Sequence, residues 1–164
     1  DYYGAISDYT KAIEINPNFA KSYYNRGNTK YDLKDYNGAI SDYTKAIEIN
    51  PNYGEAYSNR GIGKNVLKDY YGAISDYTKA IEINPNDAEA YSNRGDSKND
   101  LKDYNGAIAD YTKAIELNPN YAVAYSNRAI GKYRLYDYNG ACIDARKAQD
   151  LGLDATRIIN VVCK

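Results

Sequence analysis

The sequence predicts an all-α solenoid in which antiparallel helix-turn-helix units follow one another along the chain. Three observations carry this. The chain aligns with itself without gaps at a period of 34 residues. Each period holds two stretches with apolar residues at helical spacing. A short Asn-Pro-Asn stop closes three of the periods and the partial unit before them. A period of this length signals stacked units, because one hairpin hides only part of its apolar surface and needs neighbours to hide the rest.

The stretch that opens at Asp1 recurs from Asp35, from Asp69 and, with small changes, from Asp103, and a weaker copy begins at Asp137. In the unit from Gly54 to Asp87, the first helix (A) is expected over Glu55 to Leu67. There Ala56, Tyr57, Gly61 and Leu67 alternate small and large side chains along one side. The second helix (B) is expected over Tyr70 to Ile83, with Ala73, Ile74, Tyr77, Ala80 and Ile81 on one face. Asp69 caps its start. Asn84-Pro85-Asn86 ends it, since the residue before a proline is driven out of the helical region. Gly61 and Gly63 lie inside helix A, where each costs about 1 kcal/mol against alanine, so close helix approach is the reason expected for them.

The layout that follows is a leading B helix in a partial unit 1–19, then full repeats at 20–53, 54–87 and 88–121. A divergent repeat spans 122–153 and a capping segment 154–164. In the divergent repeat Leu151-Gly152-Leu153-Asp154 replaces the proline stop. The final helix, expected from Ala155 to Cys163, sets Ala155, Ile158, Ile159 and Val162 on one face, as a terminal cap requires. The leading B helix has no A helix of its own. Tyr2, Ala5, Ile6, Tyr9 and Ile13 therefore lack cover, and packing against another chain, including homotypic end-to-end packing, or against upstream sequence is expected there. The absence of methionine and the start in mid-repeat lead to the expectation of a fragment or processed form.

Composition narrows the function. A net charge of -1 provides no basic field for nucleic acid or anionic membranes. No apolar run approaches the roughly 18 residues of a membrane span, so a soluble chain without membrane insertion is expected. The compartment stays open, with the cytoplasm slightly favoured. There is no histidine, phosphate loop or nucleophile motif. Asp8, Asp42, Asp76 and Asp110 recur once per unit, as scaffold residues do and a single active centre does not. No catalysis, metal or cofactor is expected. Cys142 stands where Ile40, Ile74 and Ile108 stand in the earlier units, so a buried thiol is expected rather than a disulfide with Cys163.

Tyr57, Arg60, Gly61, Lys64, Ala73, Tyr77, Ala80 and Pro85 fall on the signature positions of the tetratricopeptide repeat. The chain resembles that family over nearly its whole length, in register from unit to unit. Arginine stands in the place of a leucine and lysine in the place of a tyrosine. The resemblance implies a right-handed superhelix, a non-catalytic scaffold or adaptor role, and a protein or peptide partner held in a concave groove lined by the A helices. Two other readings stay open: an element that stacks end to end, and a regulatory region of a larger protein.

The resemblance also places Asn25, Asn59, Asn93 and Asn127 on that inner face. A side-chain amide offers one donor group and one acceptor, which suits the main chain of an extended peptide. With A helices roughly 10 Å apart and about 3.3 Å per extended residue, one asparagine meets about every third peptide residue. The units vary most at positions two, five, nine, twelve and thirteen, all on helix A. Among these, Tyr24, Asn28 and Tyr31 give an aromatic section. Ile62, Asn65 and Val66 follow as an apolar one, and Asp96, Asn99 and Asp100 as an acidic one. Ile130, Tyr133 and Arg134 end the series as a mixed one. A peptide with an apolar anchor near Ile62 and a basic residue near Asp96 and Asp100 is expected to fit. The carboxylate clamp of chaperone adaptors is not expected, because Tyr24, Glu89 and Asn93 occupy positions that need basic side chains. Arg26, Arg60, Arg94 and Arg128 are expected to pair with the aspartates of the B helices.

Overall fold

The computed structural model describes residues 1–163, which form ten α-helices and no strand among the described residues. They fall into two compact units divided after Pro85. The first holds α1 (Tyr2–Ile15), α2 (Ala20–Asp32), α3 (Tyr36–Ile49), α4 (Gly54–Val66) and α5 (Tyr70–Ile83). The second holds α6 (Ala88–Asp100), α7 (Tyr104–Leu117), α8 (Ala122–Arg134), α9 (Tyr138–Asp150) and α10 (Thr156–Val162). Within each unit every helix packs on the next, and alternate A helices, α2 with α4 and α6 with α8, also touch. Helix α10 folds back on α9 and α8. It is shorter than expected, and Lys164 lies outside the described residues. None of the described helices is long and apolar enough to cross a membrane.

Local chemistry fixes the helix boundaries. Each of Asp35, Asp69, Asp103 and Asp137 accepts the backbone N–H three residues on, at 2.9–3.0 Å. The donor is always a glycine, because a Cβ there would collide with the aspartate carboxylate. The A helices end differently. Lys34, Lys68, Lys102 and Tyr136 adopt φ of 63–64°, and Asp35 N–H closes on Lys30 C=O at 2.9 Å while Lys34 N–H closes on Tyr31 C=O at 2.8 Å. This is a Schellman ending built without glycine. The B helices stop at asparagines in extended geometry before proline, such as Asn50 with φ −128°. The side-chain oxygen of Asn50 then accepts from Asn52 N–H at 3.1 Å. In the divergent repeat Gly152, with φ 93°, takes over that role.

Small residues opposite tyrosines form the core. Tyr43, Tyr77 and Tyr111 are each 1% exposed, and burying such a ring contributes about 2 kcal/mol. A Cβ on Gly27, Gly61 or Gly95 would stand 2.7–2.8 Å from the corresponding ring. Gly63 meets Ile40 in the same way at 3.1 Å, so both glycines of α4 serve close approach. In the divergent repeat the exchange is reciprocal. Ala145 replaces the tyrosine and Ala129 the glycine, and both lie in one buried cluster with Ala141 and Val162.

The expected buried thiol at Cys142 is corrected: Cys142 and Cys163 form a disulfide, their Cα atoms 5.0 Å apart. The fold-back of α10 carries Cys163 to the face of α9 that bears Cys142, and both border the cluster of Ala129, Ala141 and Val162. Sequence separation alone conceals this meeting.

Candidate functional site

The A-helix faces carry two kinds of polar arrangement. The first ties each A helix to its own B helix. Arg60 donates two hydrogen bonds to Asp76, at 2.9 and 2.6 Å, and Lys64 adds an ion pair at 2.8 Å. Arg60 also donates to Thr44 Oγ1 at 3.1 Å, and that hydroxyl donates to Ile40 C=O at 2.8 Å. The guanidinium lies over the Tyr57 ring, 5.5 Å from its centroid. Arg26 with Asp42 and Lys30, Arg94 with Asp110 and Lys98, and Arg128 with Asp144 and Lys132 repeat the pairing. The Asp42 hydrogen bond is the main cause of a raised Arg26 pKa. These arginines are therefore structural, as their recurrence with aspartate predicts. The lysine in each cluster was visible in the sequence as a residue four positions after each arginine, on the same helix face.

The second arrangement contains the variable positions. In the first unit a cavity of about 210 Å³ is lined by Asn28, Tyr31, Asp32, Tyr43, Asn59 and Ile62. Tyr43 Oη donates to Asn28 Oδ1 at 2.9 Å. Asn59 Nδ2 donates to the same oxygen at 2.9 Å and to Tyr24 Oη at 3.1 Å. Burial, then the neighbouring Tyr24, Tyr31 and Asp32, push the Tyr43 phenol far above its ordinary pKa, so it remains a donor. The Asn59 amide protons thus have partners and its carbonyl oxygen is left as the acceptor. Tyr24 packs against Tyr53, with centroids 4.9 Å apart, and Tyr31 meets Tyr36 at 5.2 Å.

In the second unit the residues 68 positions later repeat this geometry with different chemistry. Asp96 stands for Asn28, and its Oδ1 accepts from Tyr111 Oη at 2.7 Å and from Asn127 Nδ2 at 2.8 Å. Burial raises the Asp96 pKa, the two hydrogen bonds oppose this, and Asp100 adds to it. Asn99 Oδ1 is buried without a hydrogen-bond partner. Among the described residues no cation forms an ion pair with Asp96 or Asp100.

The four recurring asparagines are therefore not equivalent. Asn59 and Asn127 are tethered to the residue 31 positions earlier. The side chains of Asn25 and Asn93 make no hydrogen bond among the described residues, and the residue 31 before Asn93 is Ile62, which has no acceptor. Asn65 and Ile130 are half-buried, while Val66, Asp100 and Arg134 are exposed. Tyr133 borders the cluster under the terminal cap and packs on Tyr138 at 5.6 Å.

The family model for the tetratricopeptide repeat matches residues 20–53 and 88–121, and a second, for the TPR repeat, matches 1–34 and 67–99. The TPR domain of Arabidopsis OM64 is 30% identical, with a TM-score of 0.66, and the match covers 73% of this chain and 95% of that one. The chain belongs to the tetratricopeptide repeat family. Its tandem helix pairs also superpose on the crystal structure of MamA with a TM-score of 0.89 at 26% identity, covering 92% of this chain and 88% of MamA. The first TPR of Spaghetti (RPAP3), solved with the HSP90 peptide SRMEEVD, matches with a TM-score of 0.70 at 29% identity, over 71% of this chain and 93% of that one. No curated protein sequence matches the tetratricopeptide chain. Its family and fold make it a protein–protein interaction module.

Proposed function

We propose that the chain binds an extended peptide segment along its A-helix faces and so serves as a scaffold or adaptor. The observation that carries this reading is the cavity of about 210 Å³ between α2, α3 and α4, where Asn28, Tyr31, Asp32 and Ile62, at positions where the repeats differ, meet the recurring Tyr43 and Asn59. The scaffold around it is nearly invariant, so variation is concentrated where a ligand would rest. The peptide-bound TPR of Spaghetti supports the mode of binding.

The proposed contacts are Asn25, Asn59, Asn93 and Asn127 for peptide main chain. Tyr24, Asn28, Tyr31, Ile62, Asn65 and Val66 receive an apolar or aromatic anchor. Asp96, Asn99 and Asp100 receive a basic side chain, and Ile130, Tyr133 and Arg134 extend the surface. The repeat boundaries at 20–53, 54–87, 88–121 and 122–153 belong to the same proposal. Acceptors dominate around Asp96, which favours a cationic ligand residue, the opposite of the acidic run in SRMEEVD.

A peptide-library screen against the wild type and an Asn59→Ala, Asn93→Ala double variant tests this. Enrichment of extended peptides with one apolar and one basic anchor, lost in the variant, is the expected outcome. Equal binding by both proteins would remove the asparagines from the mechanism.

A further inference from the structure

The A helices alternate in character. Positions nine, ten and thirteen of the repeat carry Asn28, Thr29 and Asp32 in α2, and Asp96, Ser97 and Asp100 in α6. They carry Ile62, Gly63 and Val66 in α4, and Ile130, Gly131 and Arg134 in α8. This pattern recurs every two repeats, so each compact unit contains one polar A helix, the B helix after it and one apolar A helix. Glycine at position ten seats the apolar helix: a Cβ on Gly63 or Gly131 would stand 3.1 or 3.0 Å from Ile40 or Ile108 of the preceding B helix. The polar helix carries Thr29 or Ser97 there, and the hydroxyl donates within its own helix, to Asn25 C=O or Asn93 C=O.

Positions nine and thirteen are one turn apart on the same helix face. In α2 the first of them is committed, since the Asn28 side-chain oxygen accepts from Tyr43 and Asn59. Asp32 is not. It is exposed, it lines the cavity with Tyr31 and Ile62, and the cations on its own helix, Arg26 and Lys30, pair with Asp42 instead. Burial holds the Tyr31 and Tyr43 phenols above their ordinary pKa, so both stay neutral, and Asp32 is the one carboxylate in the lining. Between α2 and α6 the tyrosines at positions five and twelve become Ser92 and Asn99, yet the aspartate at thirteen is the same. What the two units share at this point is an acceptor for a cation.

We propose that the cavity of the first unit takes a basic side chain, its aliphatic stem against Tyr31 and Ile62 and its charged end paired with Asp32. This rests on the extended-peptide reading above and refines it: each unit holds one site for a basic residue, and a wholly apolar anchor would use the wall of the first site without its carboxylate. Asp32 is the specificity-determining residue of that site.

The test uses the whole chain with the second site silenced by Asp96→Asn and Asp100→Asn. Two labelled pools of capped nonapeptides are titrated, random and uncharged except at the centre. One pool has lysine there, and the other has norleucine, the same stem without the amine. The lysine pool is expected to bind about fivefold more tightly, and Asp32→Asn should abolish that difference while norleucine binding persists. Asp32 is exposed, so its replacement leaves the fold in place, and circular dichroism checks that. Equal binding of the two pools, or a lysine preference that survives Asp32→Asn, overturns the cation site and leaves the extended-peptide reading standing. Binding of neither pool overturns both.

Discussion

Asp96 accepts the side-chain amide of Asn127 at 2.8 Å with the same oxygen that Tyr111 engages. Asn28 performs this task in the first unit with a neutral carbonyl. The fold thus tolerates either side chain at this point, and the carboxylate adds charge that the scaffold does not require. Asp96→Asn is expected to reproduce the first unit's hydrogen bonds. It should lower affinity for a lysine-bearing peptide by about tenfold, measured by titration calorimetry, while an apolar peptide binds as before.

The same residue sets a pH dependence. Burial raises the folded-state pKa of Asp96 above its unfolded value. Between the two values the folded chain holds the extra proton, so this residue's contribution to stability falls as pH rises through that interval and stays low above it. Urea midpoints measured from the ordinary carboxylate range to neutral pH should show this decline in the wild type and less of it in Asp96→Asn.

Replacing Arg60 by leucine leaves Asp76 buried with Lys64 as its remaining ion pair. A loss of about 3 kcal/mol in unfolding free energy is expected. Peptide affinity should be unchanged, because the arginine side chain is committed to Asp76 and Thr44. Reduced affinity in a normally folded variant would show that it touches ligand.

Gly61→Ala gains about 1 kcal/mol of helix propensity but drives a Cβ to 2.8 Å from the Tyr77 ring. Overpacking costs about 1–3 kcal/mol and wins, since the ring is 1% exposed and enclosed. Thermal melts should show net destabilisation. In a Tyr77→Ala background the same change should be tolerated, as the alanines at 129 and 145 are in the divergent repeat. The non-additivity of the double variant measures the contact.

The disulfide closes a loop with a sequence separation of 21, worth about 3 kcal/mol on the chain-entropy account. Cys142→Ser is expected to lower the melting temperature and to release α10 first. Hydrogen exchange in α10, against α8 and α9, distinguishes local release from global loss.

The helices were legible because their signals are local. Asp69 marks a start and Asn84-Pro85 a stop, and the glycines of α4 announce tight packing. The Arg60–Asp76 pair was legible because both residues recur together. The disulfide was not, since it depends on how α10 folds back. Nor was the inequality of the asparagines, which depends on what stands 31 positions earlier: an acceptor for Asn59 and Asn127, a hydrocarbon for Asn93. The position-nine residue, read as a ligand contact, also anchors its neighbours in Asn28 and Asp96.

The left-handed lysines at the A–B turns separate two properties. Lys34, Lys68 and Lys102 each hold a backbone conformation that costs a residue with a side chain roughly 1–2 kcal/mol. Glycine or asparagine there would relax it without altering any residue at the variable positions. Stability can consequently be raised at the turns alone, leaving untouched every side chain by which one repeat differs from the next.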